Sequence, residues 1–172
     1  NRPMCLLTAV IVGFGAIGQK VAKRLQGFGT RVIAFDPFTP DAVFENAGVE
    51  RVDLDTLMST ADIITIHARY TEETKNIIGK HEMSLIKDGI MFINTARAGL
   101  VEEEAFMEQF NAGKIAAAGF DVYWDEPFDP KSPLMKYEDV AMLPHVGGVF
   151  PGVAQLSMTM LMNTLKKDYL NK

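Results

Sequence analysis

Short apolar runs recur along this chain of 172 residues, and segments with helical spacing lie between them. Each run is almost continuously apolar instead of alternating between apolar and polar residues. That pattern is typical of strands that are covered on both faces of a sheet. We therefore predict six buried strands, at Thr8–Val12, Val32–Phe35, Ile63–Ile66, Ile90–Ile93, Ala116–Phe120 and Val140–Leu143.

Helical periodicity separates the predicted strands. The clearest case is an apolar stripe beside Gln, Lys and Arg residues, formed by Ile17, Val21, Leu25 and Phe28. Alternating strands and helices require right-handed crossovers, so we predict an α/β fold with a doubly wound parallel sheet, the Rossmann fold, in a single domain. Such sheets bind ligands at the carboxyl ends of their strands. Further helices are predicted at Asp53–Ser59, Gly79–Lys87, Glu102–Ala112 and Pro151–Leu170.

The first predicted strand runs into a G-x-G-x-x-G pattern, Gly13-Phe14-Gly15-Ala16-Ile17-Gly18. Such glycines allow a tight turn and a close approach of pyrophosphate, and the next helix offers its free N–H groups. Asp36 ends the second predicted strand, 18 residues after Gly18 (36 − 18). A carboxylate there can bind ribose hydroxyls and repel a 2′-phosphate. These features predict a site for NAD rather than NADP, although methyltransferases use a related sheet and a glycine-rich turn.

The stretch FINTARAGLVEEEAF, residues 92 to 106, places one arginine soon after the fourth predicted strand. Arg97 has small neighbours, Ala96, Ala98 and Gly99. A guanidinium is seldom buried without a partner. Because its neighbours are small, the planar fork of Arg97 is left open to a partner from outside this segment.

Composition excludes several classes of protein. An apolar fraction of 48% supports a full core and excludes a disordered chain. The net charge of −5, with no local cluster of Lys and Arg, argues against nucleic-acid binding. No stretch reaches the length of a membrane span. The single cysteine, Cys5, cannot form an internal disulfide, so we predict a cytoplasmic protein.

Five groups of motifs occur in the order and approximate spacing of one protein family: GFGAIGQKVAKRL with VIAFDP, HARYTEETKNIIG, FINTARAGLVEEEAF, AGFDVYWDEP and LPHVGG. From about Thr8 to Tyr169, the chain resembles the nucleotide-binding domain of the D-isomer-specific 2-hydroxyacid dehydrogenases. The resemblance implies an oxidoreductase that moves hydride between NAD(H) and a small 2-oxo or 2-hydroxy carboxylate. It also implies that residues 1–172 are one NAD-binding domain, and that a flanking substrate domain lies outside this sequence.

Three residues match the catalytic residues of that family. Arg97, in NTARAG, matches the arginine that binds the substrate carboxylate and polarises its carbonyl group. His145, in LPHVGG, matches the histidine that exchanges the proton, and Glu126, in WDEP, matches the acid that pairs with it. Histidine is suited to proton transfer near neutral pH, and a neighbouring carboxylate orients its ring. Judged without the resemblance, His145 and Glu126 would also fit ordinary polar turns beside prolines.

The resemblance also assigns residues to the cofactor. The pyrophosphate turn is shaped by glycines and bound by two backbone amides, and a carboxylate takes the adenosine ribose. The glycines are Gly13, Gly15 and Gly18, the backbone amides are those of Ala16 and Ile17, and the carboxylate is that of Asp36. Along the rest of the cofactor the assigned residues are His67, Ala68 and Thr71 to Thr74 at the adenosine, Thr95 and Ala96 at the nicotinamide ribose, Asp121 at the nicotinamide amide, and Gly147 and Gly148 beside the ring. No metal site is predicted.

The sequence departs from the family pattern at a few positions. Ala16 stands where the family usually has Arg, and its contact is expected through the backbone. Arg69-Tyr70 replaces a common Pro-Leu pair, and Ala98 replaces the usual glycine after the arginine. The cofactor contact at Arg69 is therefore left open.

Several residues are given a structural rather than a functional interpretation, and the assembly and the function have alternatives. His81 is predicted to be a solvated helix residue, Trp124 a core or interface residue, and the methionines of the tail (Met158, Met160 and Met162) core residues. Members of the family usually pair through their cofactor domains, so a homodimer is implied. Some relatives act as NAD-sensing binding proteins or corepressors with the same fold and catalytic residues, and the sequence leaves that alternative open.

Overall fold

A seven-stranded parallel sheet forms the centre of the protein, in a computed structural model that describes residues 2–126, 132–149 and 152–165. Its strand order is β3-β2-β1-β4-β5-β6-β7, and every neighbouring pair is parallel. The predicted doubly wound α/β fold is confirmed. The strands are β1 Thr8–Val12, β2 Arg31–Phe35, β3 Glu50–Arg51, β4 Ile63–Ile66, β5 Ile90–Asn94, β6 Ile115–Phe120 and β7 Val140–Met142.

Helices cover both faces of the inner strands, which explains why those strands are continuously apolar. The edge strands β3 and β7, in contrast, have no buried residue, so the predicted burial of the last strand is wrong. Within β1, Val10 packs in the cluster that contains Leu57 of α3, whereas the next residue, Ile11, packs with Ala22 of α1 and Phe44 of α2. Successive side chains of a strand point to opposite faces, and here both faces are buried. The helices are α1 Ala16–Gln26, α2 Asp41–Ala47, α3 Leu54–Thr60, α4 Lys80–Ser84, α5 Glu103–Asn111 and α6 Val153–Leu165.

Two elements between β2 and α3 were not predicted from the sequence. Helix α2 begins after Pro40 and ends at Gly48, which has a φ of +61°, and β3 pairs with β2 over only two residues. Neither segment has a long periodic pattern. The sequence DAVFENA buries one large residue, Phe44, against Phe14, with ring centroids 4.5 Å apart.

The apolar stripe predicted for α1 is only partly correct. Its buried residues are Gly18 and Ala22, with Val21 and Leu25 packed beside the core. Ile17 and Phe28 are exposed. The glycine at position 18 allows α1 to lie so close to β1 that the buried face is centred on small residues rather than on the stripe.

The prediction of core packing for the methionine tail is wrong. Met158, Met160 and Met162 lie on α6, and all three are exposed, as are Leu156 and Leu161. The described parts of the chain leave this helix largely uncovered. Trp124, in contrast, packs against Phe106 and Phe120 in the core, as predicted.

Within the described residues, no helix is both long enough and apolar enough to cross a membrane.

Asp62 anchors the start of the sheet, at the edge opposite the carboxyl ends of the strands. Its nearly buried carboxylate accepts hydrogen bonds from the Thr8 amide at 2.8 Å, from Arg2 at 2.6 Å and from Lys87 at 3.0 Å. Burial alone would raise the pKa of Asp62, but these three donors outweigh burial and lower the pKa from 3.8 to about 2. The ionised carboxylate therefore ties β1 to the segments before and after it.

We expect Asp62→Asn to lower the free energy of unfolding at pH 7 by about 2 kcal/mol, the size implied by this pKa shift. Because the folded pKa lies below the unfolded value, the stabilisation is present above pH 3.8 and is lost as the pH falls toward 2. Urea denaturation at several pH values measures the difference. Asp88→Asn, which changes an exposed acid of the same charge, is the matched control. An equal loss for both variants at every pH would contradict the prediction.

Candidate active site

The glycine turn after β1 lies where the strand order changes direction, between β1 and β4. Gly13 has a φ of +93°, and a Cβ atom there would lie 2.4 Å from the amide nitrogen of Ala68. A Cβ atom on Gly18 would lie 2.3 Å from the carbonyl oxygen of Gly13. Any side chain at either position would displace backbone. The turn is therefore held against the end of β4, at the crevice where such sheets bind ligands.

The first turn of α1 provides anion-binding groups beside this crevice. Gly15 is the N-cap residue, and apart from its chain neighbours no atom of the described residues lies within 4 Å of the position that its Cβ would take. The amides of the next residues, Ala16, Ile17 and Gly18, have no acceptor within the helix. Together with the positive end of the helix dipole, they form a site that fits a phosphate group.

Asp36, at the end of β2, is half-buried and bound to the turns around it. One carboxylate oxygen accepts the Phe14 amide at 2.8 Å, and the other accepts the Phe38 and Thr39 amides at 2.9 and 3.1 Å. Partial burial opposes ionisation, but these hydrogen bonds outweigh it, so the pKa of Asp36 is lowered. The residue is therefore a fixed anion that faces the crevice.

A cavity of about 790 Å³ lies between the glycine turn, the end of β2 and the loop after β4. Its volume is typical of a small-molecule site, and its walls are largely apolar with a few polar groups. Eight of the residues assigned to the cofactor from the sequence line it together. These residues are Gly13, Gly15, Asp36, His67, Ala68, Thr71, Glu73 and Thr74.

Two of the lining residues also hold the wall of the cavity. His67 is hydrogen-bonded through Nε2 to the Thr65 hydroxyl at 2.9 Å, and burial lowers its pKa. The hydroxyl of Thr74 accepts the Thr71 amide at 2.8 Å and donates to the Arg69 carbonyl at 2.7 Å. Thr74 therefore fixes the loop that it belongs to.

The two replacements at positions 69 and 70 face different surroundings. Arg69 lines the cavity. The ring of Tyr70 lies against Gly99, where a Cβ atom would come within 2.8 Å of it. The loop after β4 therefore contacts the segment after β5.

Arg97 lies on a turn that a buried asparagine holds. Asn94, at the end of β5, has no exposed surface; it accepts the Ala96 amide and donates to the Arg97 carbonyl, each at 3.0 Å. The Arg97 side chain is exposed and donates to the Ala96 carbonyl at 2.6 Å. Thr95 is exposed, and Ala96 is half-buried. The guanidinium is thus free to bind an anion while its backbone is fixed.

His145 and Glu126 form a pair at the same edge of the sheet. Nδ1 of His145 lies 3.0 Å from each carboxylate oxygen of Glu126. The Tyr123 amide, the His145 side chain and the charge of Arg97 together lower the pKa of Glu126. His145 and Arg97 therefore both act electrostatically on Glu126, and 43% and 40% of the His145 and Glu126 side chains are exposed.

Asp121 contacts the loop of the histidine directly. Its carboxylate is buried and accepts the amides of Val146 and Gly147 at 2.8 and 2.7 Å. A Cβ atom on Gly147 would lie 2.6 Å from that carboxylate, whereas Gly148 has open space around it. Asp121 and Gly147, assigned separately from the sequence, are therefore direct partners.

Sequence reasoning missed two residues that position the site. They are Asn94 and Tyr123, whose hydroxyl donates to the Leu143 carbonyl at 2.6 Å. Asn94 could have been found, because a polar side chain at the end of a buried strand requires partners. Tyr123 carried no signal beyond its apolar character. Trp124, predicted to be a core or interface residue, also donates its indole N–H to the Val101 carbonyl at 2.8 Å.

Comparison with known proteins identifies the family. The sequence profile of the "D-isomer specific 2-hydroxyacid dehydrogenase, NAD binding domain" matches residues 6–147. The chain is 42% identical to the D-3-phosphoglycerate dehydrogenase of Archaeoglobus fulgidus over 164 residues, which are 95% of this chain and 30% of the relative. It is also 42% identical to the hydroxypyruvate reductase of Thermotoga maritima over 142 residues, 81% of this chain and 45% of the relative. The chain thus spans less than half of each.

Solved structures show the same architecture. A glyoxylate reductase from Paecilomyes thermophila superposes with a TM-score of 0.85 at 29% identity, over 96% of this chain and 50% of that one. The D-lactate dehydrogenase of Aquifex aeolicus, solved with NAD and lactic acid, gives a TM-score of 0.81 at 27% identity, over 97% and 56%. The glycine turn, the fixed anion of Asp36 and these comparisons agree: the chain belongs to the NAD-binding domain family of the D-isomer-specific 2-hydroxyacid dehydrogenases.

Proposed function

We propose that this chain is the cofactor domain of an NAD-dependent D-2-hydroxyacid dehydrogenase, which interconverts a small 2-oxo carboxylate and its 2-hydroxy form. The observation that carries the proposal is the His145–Glu126 pair at 3.0 Å, close enough to Arg97 for its charge to lower the pKa of Glu126. An acid–base pair and an open arginine at one strand edge fit the reduction of an oxo acid. The names of the relatives, which include reductases of hydroxypyruvate and glyoxylate, support this substrate class.

The residues present fit the cofactor. The first-turn amides of α1 suit its pyrophosphate, the cavity suits its adenosine, and Asp36 suits its ribose hydroxyls. We further propose that Thr95, Ala96, Asp121, Gly147 and Gly148 lie along its nicotinamide half. When bound, the cofactor supplies or accepts the hydride.

Arg97 has the role of substrate anchor. Its fork binds the substrate carboxylate through paired hydrogen bonds and stabilises negative charge that develops on the carbonyl oxygen. The exposed side chain on a fixed turn suits this role, because it leaves the guanidinium available.

His145 has the role of proton donor and acceptor. Its Nδ1 faces Glu126, so Nε2 is the nitrogen left for the substrate. In reduction, hydride adds to the carbonyl carbon and the Nε2 proton passes to the oxygen. In oxidation, Nε2 takes the hydroxyl proton as hydride leaves the carbon. Glu126, whose pKa is lowered mainly by the Tyr123 amide, is a carboxylate that orients the ring and balances its charge.

The remainder of the site belongs to a longer protein under this proposal. The chain spans 30% and 45% of the two relatives compared above, and Arg97 and His145 are both exposed. Hydride transfer requires that water be excluded from the reacting atoms. We therefore propose that a second domain covers this edge and selects the substrate side chain. We also propose a cytoplasmic location, in keeping with a single cysteine.

The choice between NADH and NADPH tests the role proposed for Asp36. We expect NADH to bind at least about tenfold more tightly than NADPH, because the ionised carboxylate of Asp36 repels a 2′-phosphate. Asp36→Asn should weaken NADH binding and reduce the ratio of the two affinities. Titration calorimetry with both cofactors measures the ratio.

Glu45→Gln is the matched control, because Glu45 is exposed and lies outside the cavity, and the change removes the same charge. It should leave the ratio nearly unchanged. If the wild-type protein bound NADPH as tightly as NADH, the role given to Asp36 would be wrong.

Substitutions of His145 and Arg97 test the roles proposed for these residues in oxo-acid reduction. In the full-length protein, His145→Ala should lower kcat by about 10² to 10⁴-fold, which is the usual contribution of proton transfer. Arg97→Lys should lower kcat/KM for oxo acids nearly as much, because lysine lacks the paired geometry. NADH oxidation with glyoxylate, pyruvate and hydroxypyruvate measures both effects.

The matched controls change exposed residues of the same type. His81→Ala removes a histidine that pairs with Asp55 on the surface, and Arg24→Lys changes an arginine that, like Arg97, donates to one backbone carbonyl. Both should retain normal turnover. A wild-type protein that bound NADH but reduced no oxo acid would favour an NAD-sensing protein or corepressor instead.

The exposed apolar residues of α6 lead to a prediction about assembly. We propose a homodimer that pairs through α6, because its apolar side chains are exposed whereas the large apolar side chains of α5, Phe106 and Phe110, are buried in the core. Light scattering well above micromolar concentration should give the mass of a dimer. Leu161→Lys on α6 should shift the mass toward the monomer, and Leu6→Lys, at an equally apolar exposed site, should not. A monomeric wild-type protein would contradict this proposal.

A further inference from the structure

The acid–base pair joins two separate loops, and one residue contacts both of them. Glu126 follows β6, whereas His145 follows β7, so their 3.0 Å contact depends on how these loops are held together. The amide of Tyr123 donates to Oε1 of Glu126 at 3.1 Å. The hydroxyl of the same residue donates to the Leu143 carbonyl at 2.6 Å, two residues before His145.

The Leu143 carbonyl is also the acceptor for the backbone of the histidine. The His145 amide donates to it at 3.0 Å. One carbonyl oxygen therefore receives both the tyrosine hydroxyl and the histidine amide. Because a carbonyl oxygen has two lone pairs, it can accept both at once. The phenol thus acts on the backbone of His145 through a single shared atom.

His145 requires such support because its backbone is strained. Its φ is +55°, in the left-handed region that residues other than glycine seldom adopt. Conformations of this kind persist only where the surrounding structure fixes them. Asp121 binds the chain after His145, through the Val146 and Gly147 amides. Tyr123 binds the chain before it.

We propose that Tyr123 is a positioning residue for the proton-transfer pair, in which its amide fixes Glu126 and its hydroxyl fixes the turn that carries His145. This inference rests on the proposed function and adds a residue to its machinery. Tyr123 is buried, with 8% of its surface exposed, and its hydroxyl is bound to backbone rather than directed to a ligand.

The state of the hydroxyl agrees with this role. Burial and the nearby charge of Asp121 raise the pKa of Tyr123, so the phenol stays protonated and remains a hydrogen-bond donor. It does not exchange the proton of the reaction. Its contribution is to hold Nε2 of His145 where the substrate oxygen binds.

The test is Tyr123→Phe in the full-length protein, because phenylalanine keeps the buried ring and removes only the hydroxyl. We expect kcat for oxo-acid reduction to fall about threefold to tenfold, the effect of one lost hydrogen bond. The Kd for NADH should stay unchanged, because the hydroxyl binds the chain before His145, whereas Asp121 separately holds the Val146 and Gly147 amides on the cofactor side. The solvent isotope effect on kcat should rise, because a misplaced histidine slows proton transfer. Unchanged kcat, or a fall in kcat with an equal loss of NADH affinity, would overturn the proposal.

The control is Tyr137→Phe. The Tyr137 hydroxyl also makes one hydrogen bond, to Asn111 at 2.9 Å on the surface. Thermal melts of both variants measure how far each change destabilises the fold. A kcat loss in both variants that followed their melting temperatures would assign Tyr123 to general stability and overturn its positioning role.

A second measurement does not depend on turnover. Amide hydrogen exchange of His145, followed by nuclear magnetic resonance, should be faster in Tyr123→Phe than in the wild-type protein, with exchange in the β-sheet core unchanged. Equal exchange at His145 would overturn the positioning role. If the wild-type protein reduced no oxo acid, the proposed function would fail, and the exchange measurement would still decide whether Tyr123 holds the loop.

Discussion

The close approach between the glycine turn and the end of β4 sets the geometry on which the site depends. A side chain on Gly13 would collide with the backbone of Ala68, and a side chain on Gly18 would collide with the carbonyl of Gly13. These contacts determine how closely α1 lies on β1 and where the chain after β4 can pass. They lie at the point where the strand order changes direction, so the crevice at the centre of the sheet owes its shape to backbone packing. Polar groups then line a space that the backbone has already defined.

Polar side chains at the strand ends build the loops as well as the site. Asp36 after β2 accepts three backbone amides, Asp121 after β6 accepts two, and Asn94 at the end of β5 binds both ends of the Arg97 turn. A buried carboxylate or amide without partners would cost free energy, so each of these residues fixes the backbone that follows it. A substitution at one of them changes loop geometry together with ligand binding. For that reason, variants such as Glu45→Gln, which removes a charge from an exposed residue outside the cavity, are needed beside them.

The sequence predicted the elements with strong patterns and failed where the pattern was weak or misleading. The six apolar runs, the glycine turn and Asp36 could be found because sheet burial and phosphate binding impose residue types at fixed positions. Helix α2 and β3 were missed because a seven-residue helix and a two-residue strand have no extended period. Ile17 was assigned to a buried stripe, yet Gly18 and Ala22 occupy that face. The exposure of the methionines on α6 could not be predicted from the sequence either, because periodicity shows that a helix face is apolar but not what covers it.

Arg97 and His145 combine a fixed backbone with an exposed side chain, and under the proposed function this combination keeps both side chains aligned before a second domain covers them. Around Arg97, Asn94 binds the turn from within, while Trp124 attaches the segment after β6 to the Val101 carbonyl nearby. Around His145, the support comes from that same segment after β6. Ion pairs in water contribute little, so an exposed guanidinium binds a carboxylate weakly until water is excluded. Under the proposed function, closure lowers the local dielectric, and the same arginine and imidazole then interact more strongly with the substrate without moving their backbones. The segment from Asp121 to Glu126 therefore aligns the side chain of His145 under the proposed function, and closure of a second domain over this edge of the sheet strengthens the binding of the substrate.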